Sequence, residues 1–208
     1  MTTVPSPAPR QRRKKARPQE LLDAALQLFV ERGFASARME EVPARAGVSK
    51  GTLYLYFPSK EELLKAVIRE RLSNEIEAGA IEVAKHVGSH AELLHDLLAN
   101  WWLRVLDSPA SGVFKLIITE VRSFPEIAEY YYREVVEPGD ALIGGVLRRG
   151  IAAGEFRAVD VDAAMQSLVL PMVMLCVHKH SLGACATVEP LLDPRRFVNQ
   201  HIDLVLHG

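Results

Sequence analysis

Apolar residues along this chain recur every three or four positions, and the breaks between the runs carry glycine, proline or a capping hydroxyl or carboxylate. A first helix is expected from Pro18, through Leu21, Leu22, Ala25, Leu28 and Phe29 to Arg32, with Gly33 closing it. Met39, Val42 and Ala46 give a short second helix one apolar face, and Gly47 ends it because glycine accepts the left-handed backbone of a tight reversal. Val48 should plug that turn. Ser49 then caps a helix from Lys50 to Tyr56, anchored by Leu53 and Phe57 and stopped at Pro58, and Ser59 with Glu62 forms a capping box for a fourth helix carrying Leu63, Leu64, Val67, Ile68, Leu72 and Ile76.

The remainder keeps the helical period. An amphipathic piece from Ala78 to Val87 ends at Gly88, and Ser89 with Glu92 opens a helix bearing Leu93, Leu94, Leu97, Leu98, Trp101, Trp102 and Val105, broken by Pro109 and Gly112. Val113 to Phe124 reads as a buried helix. Pro125 starts a long one through Ile127, Tyr130, Tyr131, Val135, Leu142, Val146 and Ile151, which Pro138 and Gly139 should bend and Gly154 should end. Asp160 caps a helix with Ala164, Leu168, Val169, Met172, Leu175 and Cys176, and Asp193 with Pro194 begins a last one ending near Leu206. Nine or ten helices follow, with no strand alternation and no internal repeat.

Charge divides this all-α chain. Residues 1–60 hold eleven Lys and Arg against five Asp and Glu, whereas the rest holds fourteen against twenty-one, behind a formal net charge of −1. A basic N-terminal part draws a polyanion by counterion release, and an acidic remainder stays off it. Residues 1–16, with Pro5, Pro7, Pro9 and the run from Arg10 to Lys15, are expected to form a disordered basic arm that lies on phosphates or enters a minor groove. At 208 residues and 49% hydrophobic content the chain can bury a sizeable core. Its richest apolar run, Ser167 to Val177, falls short of a membrane span, no signal-peptide core occurs in Met1 to Arg17, and Cys176 and Cys185 do not make a disulfide framework, so a cytoplasmic protein is expected.

Gly33, Phe34, the run Ala46-Gly47-Val48-Ser49-Lys50-Gly51-Thr52-Leu53-Tyr54, Tyr56-Phe57 and Ser59-Lys60-Glu61 resemble the N-terminal DNA-binding domain of the TetR/AcrR family of bacterial transcriptional regulators. Two positions depart from the family pattern: Ala37 and Arg38 stand where it usually has Thr or Ser, and Pro43 where it usually has alanine. The segment Phe124-Pro125-Glu126-Ile127, Tyr132-Arg133-Glu134 and Leu147-Arg148-Arg149-Gly150 is similar to the C-terminal domain of AefR-like members. The resemblance implies a helix-turn-helix domain over 17–62 and a helical effector-binding and dimerisation domain over 63–208. It also implies a ligand-responsive repressor that binds a palindromic double-stranded operator as a homodimer and needs no cofactor.

Candidate contacts follow from residue chemistry. Arg38, Lys50 and Lys60 suit phosphates, Ser49, Thr52, Tyr54 and Tyr56 offer hydroxyls, Gly51 allows close backbone approach, and Thr52 or Tyr54 could reach base edges. Trp101, Trp102, Phe114, Tyr130, Met165, Met172 and Met174 are candidates for an effector pocket, since apolar cavities favour aromatic and Met walls, and a small apolar or aromatic effector is expected. Leu168, Val169, Met172, Phe197, Val198, Ile202 and Val205 are the expected dimer face. His178, His180, Cys176 and Cys185 match no zinc spacing, and neither do His86, His90 and His95. No P-loop, dinucleotide fingerprint, nucleophile elbow or metalloprotease motif occurs. Two rival readings stay open: a helical enzyme or carrier with a basic docking region, and a DNA-binding regulator without an effector.

Overall fold

The computed structural model describes residues 9–185 and 193–207. They form helices α1 (Pro9–Arg32), α2 (Val42–Ala46), α3 (Lys50–Tyr56), α4 (Lys60–Ile68), α5 (Asn74–Lys85), α6 (His90–Asp107), α7 (Ser111–Glu120), α8 (Pro125–Tyr131), α9 (Glu137–Ala152), α10 (Val161–Lys179) and α11 (Pro194–His207), with no strand among the described residues. The chain divides into two compact units, one ending at Val67 and the other beginning at Ile68, so Leu63, Leu64 and Val67 belong with the first unit rather than with the second as expected.

In the first unit α2 packs against α1 and α3 around Leu21, Leu26, Leu28, Phe29, Phe34, Val42 and Leu53, all fully buried. Burying a Leu or Phe side chain contributes about 1.5–3 kcal/mol, so this core is what holds the short α2 and α3 against α1. Phe29 and Phe34 meet edge to face with centroids 5.2 Å apart. Two sequence expectations change here. α1 begins at Pro9, so Pro18 lies inside it instead of opening it, and residues 9–16 continue the helix where a free arm was expected. Arg, Lys, Gln and Ala are good helix formers, which favours the extension; the rest of the expected arm lies outside the described residues.

In the second unit α11 packs on α6 and α10, α10 on α7 and α9, and α9 on α5 and α6. The helix from Pro125 is interrupted by a π-helical turn at Tyr132–Val136, just before Pro138 in the first turn of α9, so the irregularity falls where the proline was expected to bend the helix. A second π-helical turn, Arg69–Ser73, joins α4 to α5, and the Arg69 guanidinium lies 3.5 Å from Glu134 in the first turn. α7 starts at Ser111, so Gly112 is helical and does not break the chain. Val161–Ala184 is long and apolar enough by composition to cross a membrane, but its residues Met165, Leu168, Met172 and Cys176 form a stripe buried within the unit.

Neither capping box closes as expected. Ser59 and Ser89 accept from the backbone of Glu62 and of Ala91 and Glu92. The return partner at α6 is Glu155 from beyond α9, which takes hydrogen bonds from Ser89 Oγ (2.8 Å), His90 N (2.6 Å), Ala91 N (3.1 Å) and His90 Nδ1 (2.7 Å). The His90 ring and Ser89 hydroxyl, with the helix N-terminus behind them, hold the Glu155 carboxyl down at about 2. A carboxylate whose pKa is depressed on folding stabilises the native state above its ordinary value of 4.5 and loses that contribution as pH falls towards 2. The melting temperature of Glu155→Gln should therefore lie below wild type at neutral pH, with the gap closing as the solution is acidified through that window. A gap independent of pH would contradict the assignment.

Candidate nucleic-acid interface and cavity

The geometry of the first unit turns on Gly47, whose φ of 65° and ψ of 30° place it in the left-handed region at the end of α2. Its N–H and that of Val48 both reach Pro43 O, so the proline that departs from the family pattern supplies the closing acceptor while its absent donor falls in the first helical turn. Ser49 is extended, and its Oγ accepts from Thr52 N at 3.2 Å and meets Thr52 Oγ1 at 2.9 Å, which starts α3. Leu53 is the fully buried anchor of α3. Lys50, Gly51, Tyr54 and Leu55 are exposed, and Thr52 and Tyr56 are half-buried.

α3 thus presents a cation, a bare backbone and a phenol on its outer side, with Arg38 exposed just before the turn Met39–Glu41. The Tyr54 hydroxyl donates to Glu40 Oε1 at 3.0 Å, which raises the phenol's pKa, while the backbone N–H of Glu40 and then this hydroxyl lower the carboxyl's. This bond fixes the ring orientation in the free protein. Leu55, 77% exposed, was not picked out from the sequence; a leucine between two tyrosines reads as core, and only the helical phase shows it facing outward beside Gly51.

Lys60 is the exception among the expected phosphate ligands. Its Nζ donates to Phe34 O (2.8 Å), Ala37 O (3.1 Å) and Ala35 O (3.2 Å) and sits 4.6 Å from the centre of the Phe34 ring. An ammonium has three donors, and all three are used to hold the loop after α1. Lys60 is a fastener of the domain.

The second unit holds a partly open cavity of about 340 Å³ between α5, α6, α7, α9 and α10, within the size range of small-molecule sites. Of the expected pocket residues, Trp101, Trp102 and Phe114 line it. Trp102 stands edge-on to Trp101, with centroids 4.5 Å apart, and 5.6 Å from Phe114. Tyr130 does not line it; its neighbour Tyr131 does, one helical step round, with burial pushing its phenol pKa far up. Met165 and Met172 belong to the buried stripe of α10, while Gln166, Val169, Leu170 and Val173, offset by one position, face the cavity. Met174 is exposed.

The same phase shift corrects the expected dimer face. Leu168, Met172, Val198 and Ile202 are at most 1% exposed within their own chain, because α11 closes on α6 and α10 through them, and Val169 lines the cavity. Surface remains at Phe197 and Val205, which are half-buried, and at Met174 and Leu204, 60–66% exposed, while Leu170, also exposed, lines the cavity. Phe197 stacks on His201 with centroids 5.4 Å apart, and His201 Nε2 lies 2.7 Å from Ser167 O. His180, raised above as a metal candidate, instead meets the buried Ser111 hydroxyl at 2.8 Å, and burial drives its pKa down. Among the described residues no group of His, Cys, Asp and Glu is placed to hold a metal ion.

These placements separate two lysines. Lys50→Ala should lower the slope of log affinity for duplex DNA against log salt by about 1, with little change in melting temperature. Lys60→Met should leave that slope nearly intact and cost about 1–2 kcal/mol of stability, since three carbonyls lose their donor. The pattern is read by salt titration of binding alongside thermal melts; reversed behaviour of the two variants would refute it.

Residues 21–67 match the family described as bacterial regulatory proteins, tetR family, and residues 86–193 match the tetracyclin repressor-like C-terminal domain. The chain is 29% identical over 207 residues to the HTH-type transcriptional repressor KstR2 of Rhodococcus jostii, covering 99% of this chain and 97% of that one. It is 25% identical over 158 residues to the fatty acid metabolism regulator protein of Bacillus subtilis, covering 76% and 80%. The crystal structure of the transcriptional regulator FadR from Bacillus subtilis in complex with stearoyl-CoA superposes with a TM-score of 0.75 at 21% identity, covering 91% of this chain and 98% of that one. The second match alone spans more than half of the chain, and with the glycine turn and capped α3 it makes this protein a DNA-binding transcriptional regulator of the TetR family and not an enzyme.

Proposed function

We propose that this chain is a cytoplasmic, ligand-responsive repressor that binds a palindromic operator as a homodimer and releases it when a small molecule fills the cavity of the second unit. The observation that carries the reading is the pairing, in one chain, of an exposed polar face on α3 with a largely apolar cavity in the second unit. The first suits a major groove; the second suits a hydrocarbon or aromatic body. Lys50 and Arg38 would meet phosphates, Gly51 would let the backbone approach, and Thr52, Tyr54 and Tyr56 would face base edges or the sugar-phosphate rim.

Dimerisation through α10 and α11 would use the surface left over after folding: Met174, Phe197, Leu204 and Val205. Two copies of one face related by a two-fold axis impose the same symmetry on the DNA site, with half-sites separated by about 34 Å or a multiple of it. α4 leads through the π-helical turn Arg69–Ser73 into α5, whose Ile76 and Gly79 line the cavity. A ligand that prefers one arrangement of that connection shifts the population by its differential affinity and no further. The names of the relatives that regulate fatty acid metabolism support a hydrocarbon body for the effector.

Selection of bound sequences from a random DNA pool should return an inverted repeat. The double variant Met174→Glu/Leu204→Glu should sediment as a monomer and lose at least about tenfold in affinity for the selected site, because the second half-site no longer binds intramolecularly. A direct or single-copy motif, or a variant that stays dimeric, would overturn the symmetric arrangement.

A further inference from the structure

The charges on the cavity wall specify more than an apolar body, an argument that rests on the cavity being the effector site. Among the described residues lining it, three carry carboxylates, Glu75, Glu82 and Asp140, and one, Arg104, is a cation. The cation is already engaged, with Arg104 Nη2 3.3 Å from Glu75 Oε2. Glu75, Glu82 and Arg104 are exposed on α5 and α6, whereas Asp140 is half-buried near the start of α9 and makes no hydrogen bond or ion pair with any described residue.

Partial burial, together with the like charge of Asp162, pushes the Asp140 carboxyl upward, the response of a desolvated anion that has no counter-charge. An anionic ligand group brought into this cavity would meet uncompensated negative charge. A protonated nitrogen would supply the missing partner for Asp140 and could also rest against the aromatic wall of Trp101 and Trp102, since ammonium groups are attracted to indole faces.

We propose that the effector is an amphiphile with an apolar body and a basic nitrogen, its ammonium group paired with Asp140 and its hydrocarbon part packed against Trp101, Trp102 and Phe114. With Glu75 paired to Arg104, the exposed Glu82 extends the same electrostatic preference to the rim, so cationic molecules are selected on approach as well as once bound.

Trp101 and Trp102 are the two tryptophans of the chain and both line the cavity, so intrinsic fluorescence of the full-length protein reports directly on its occupancy. Dodecylamine, dodecanol and dodecanoate, titrated at pH 7 below their micelle concentrations, share one hydrocarbon chain and differ in head-group charge. Dodecylamine should bind at least about tenfold more tightly than dodecanoate, with dodecanol between them, and Asp140→Asn should cut the amine-to-dodecanoate ratio at least about threefold. Equal or tighter binding of dodecanoate to the wild-type protein would overturn the proposal, and this ranking decides the matter even if the Asp140→Asn protein does not fold. A preference for the amine that survives intact in a folded Asp140→Asn protein would also overturn the pairing. No fluorescence response to any of the three would instead sink the underlying reading of the cavity as an effector site.

Discussion

The left-handed turn at Gly47 is the constraint on which the DNA-binding unit depends. α2 has five residues and α3 seven, too few for either to be stable alone. Their mutual angle is set where Gly47 reverses the chain, Pro43 O accepts from the two N–H groups that follow α2, and Ser49 caps the next helix. Leu53 then fixes the roll of α3, so that Lys50, Gly51 and Tyr54 come out on its exposed side. Arg32 with Glu41 and Arg45 with Glu31 add ion pairs between α1 and the turn-helix segment, at exposed positions where such pairs contribute little.

The second unit obeys a different constraint: it must stay folded around space it does not fill. Trp102, Leu94, Val113 and Val146 are fully or almost fully buried and give the bundle its core, while one wall of the cavity rests on close helix approach at Gly79. A Cβ there would come within 3.3 Å of both Leu97 and Leu142, tighter than normal packing. Glycine therefore lets α5 lie close to α6 and α9. The carboxylates on that wall would be unfavourable in a sealed core, and they are tolerable where solvent or a ligand reaches them.

Much of this was legible in the sequence because it was local. Gly33, Gly47, Ser49, Ser89, Asp160 and Pro125 mark boundaries through backbone chemistry that acts within a few residues, and the structure uses each of them at or near the place expected. What could not be read was set by tertiary partners. Glu155 reaches α6 from more than sixty positions away and takes over the role expected of Glu92. Lys60 looks like a phosphate ligand until the carbonyls of Phe34, Ala35 and Ala37 are brought to it. On α10, apolar residues occupy nearly every position, so periodicity could not say which stripe faces the core, which the cavity and which the surface, and Leu168, Val169 and Met174 went to the three different places.

The most direct test of the central claim is to substitute Gly47 by alanine and by valine and measure duplex affinity and unfolding stability on the same samples. Nothing lies within 4 Å of the space a Cβ would occupy, so the cost is conformational strain and not a clash. A β-branched residue tolerates the left-handed region less well than alanine. The account predicts that both proteins remain helical, that stability falls in the order glycine, alanine, valine, and that specific DNA affinity falls further than the loss of folded protein explains, because α3 is no longer held at its angle. Undiminished specific binding by a folded Gly47→Val protein would contradict it.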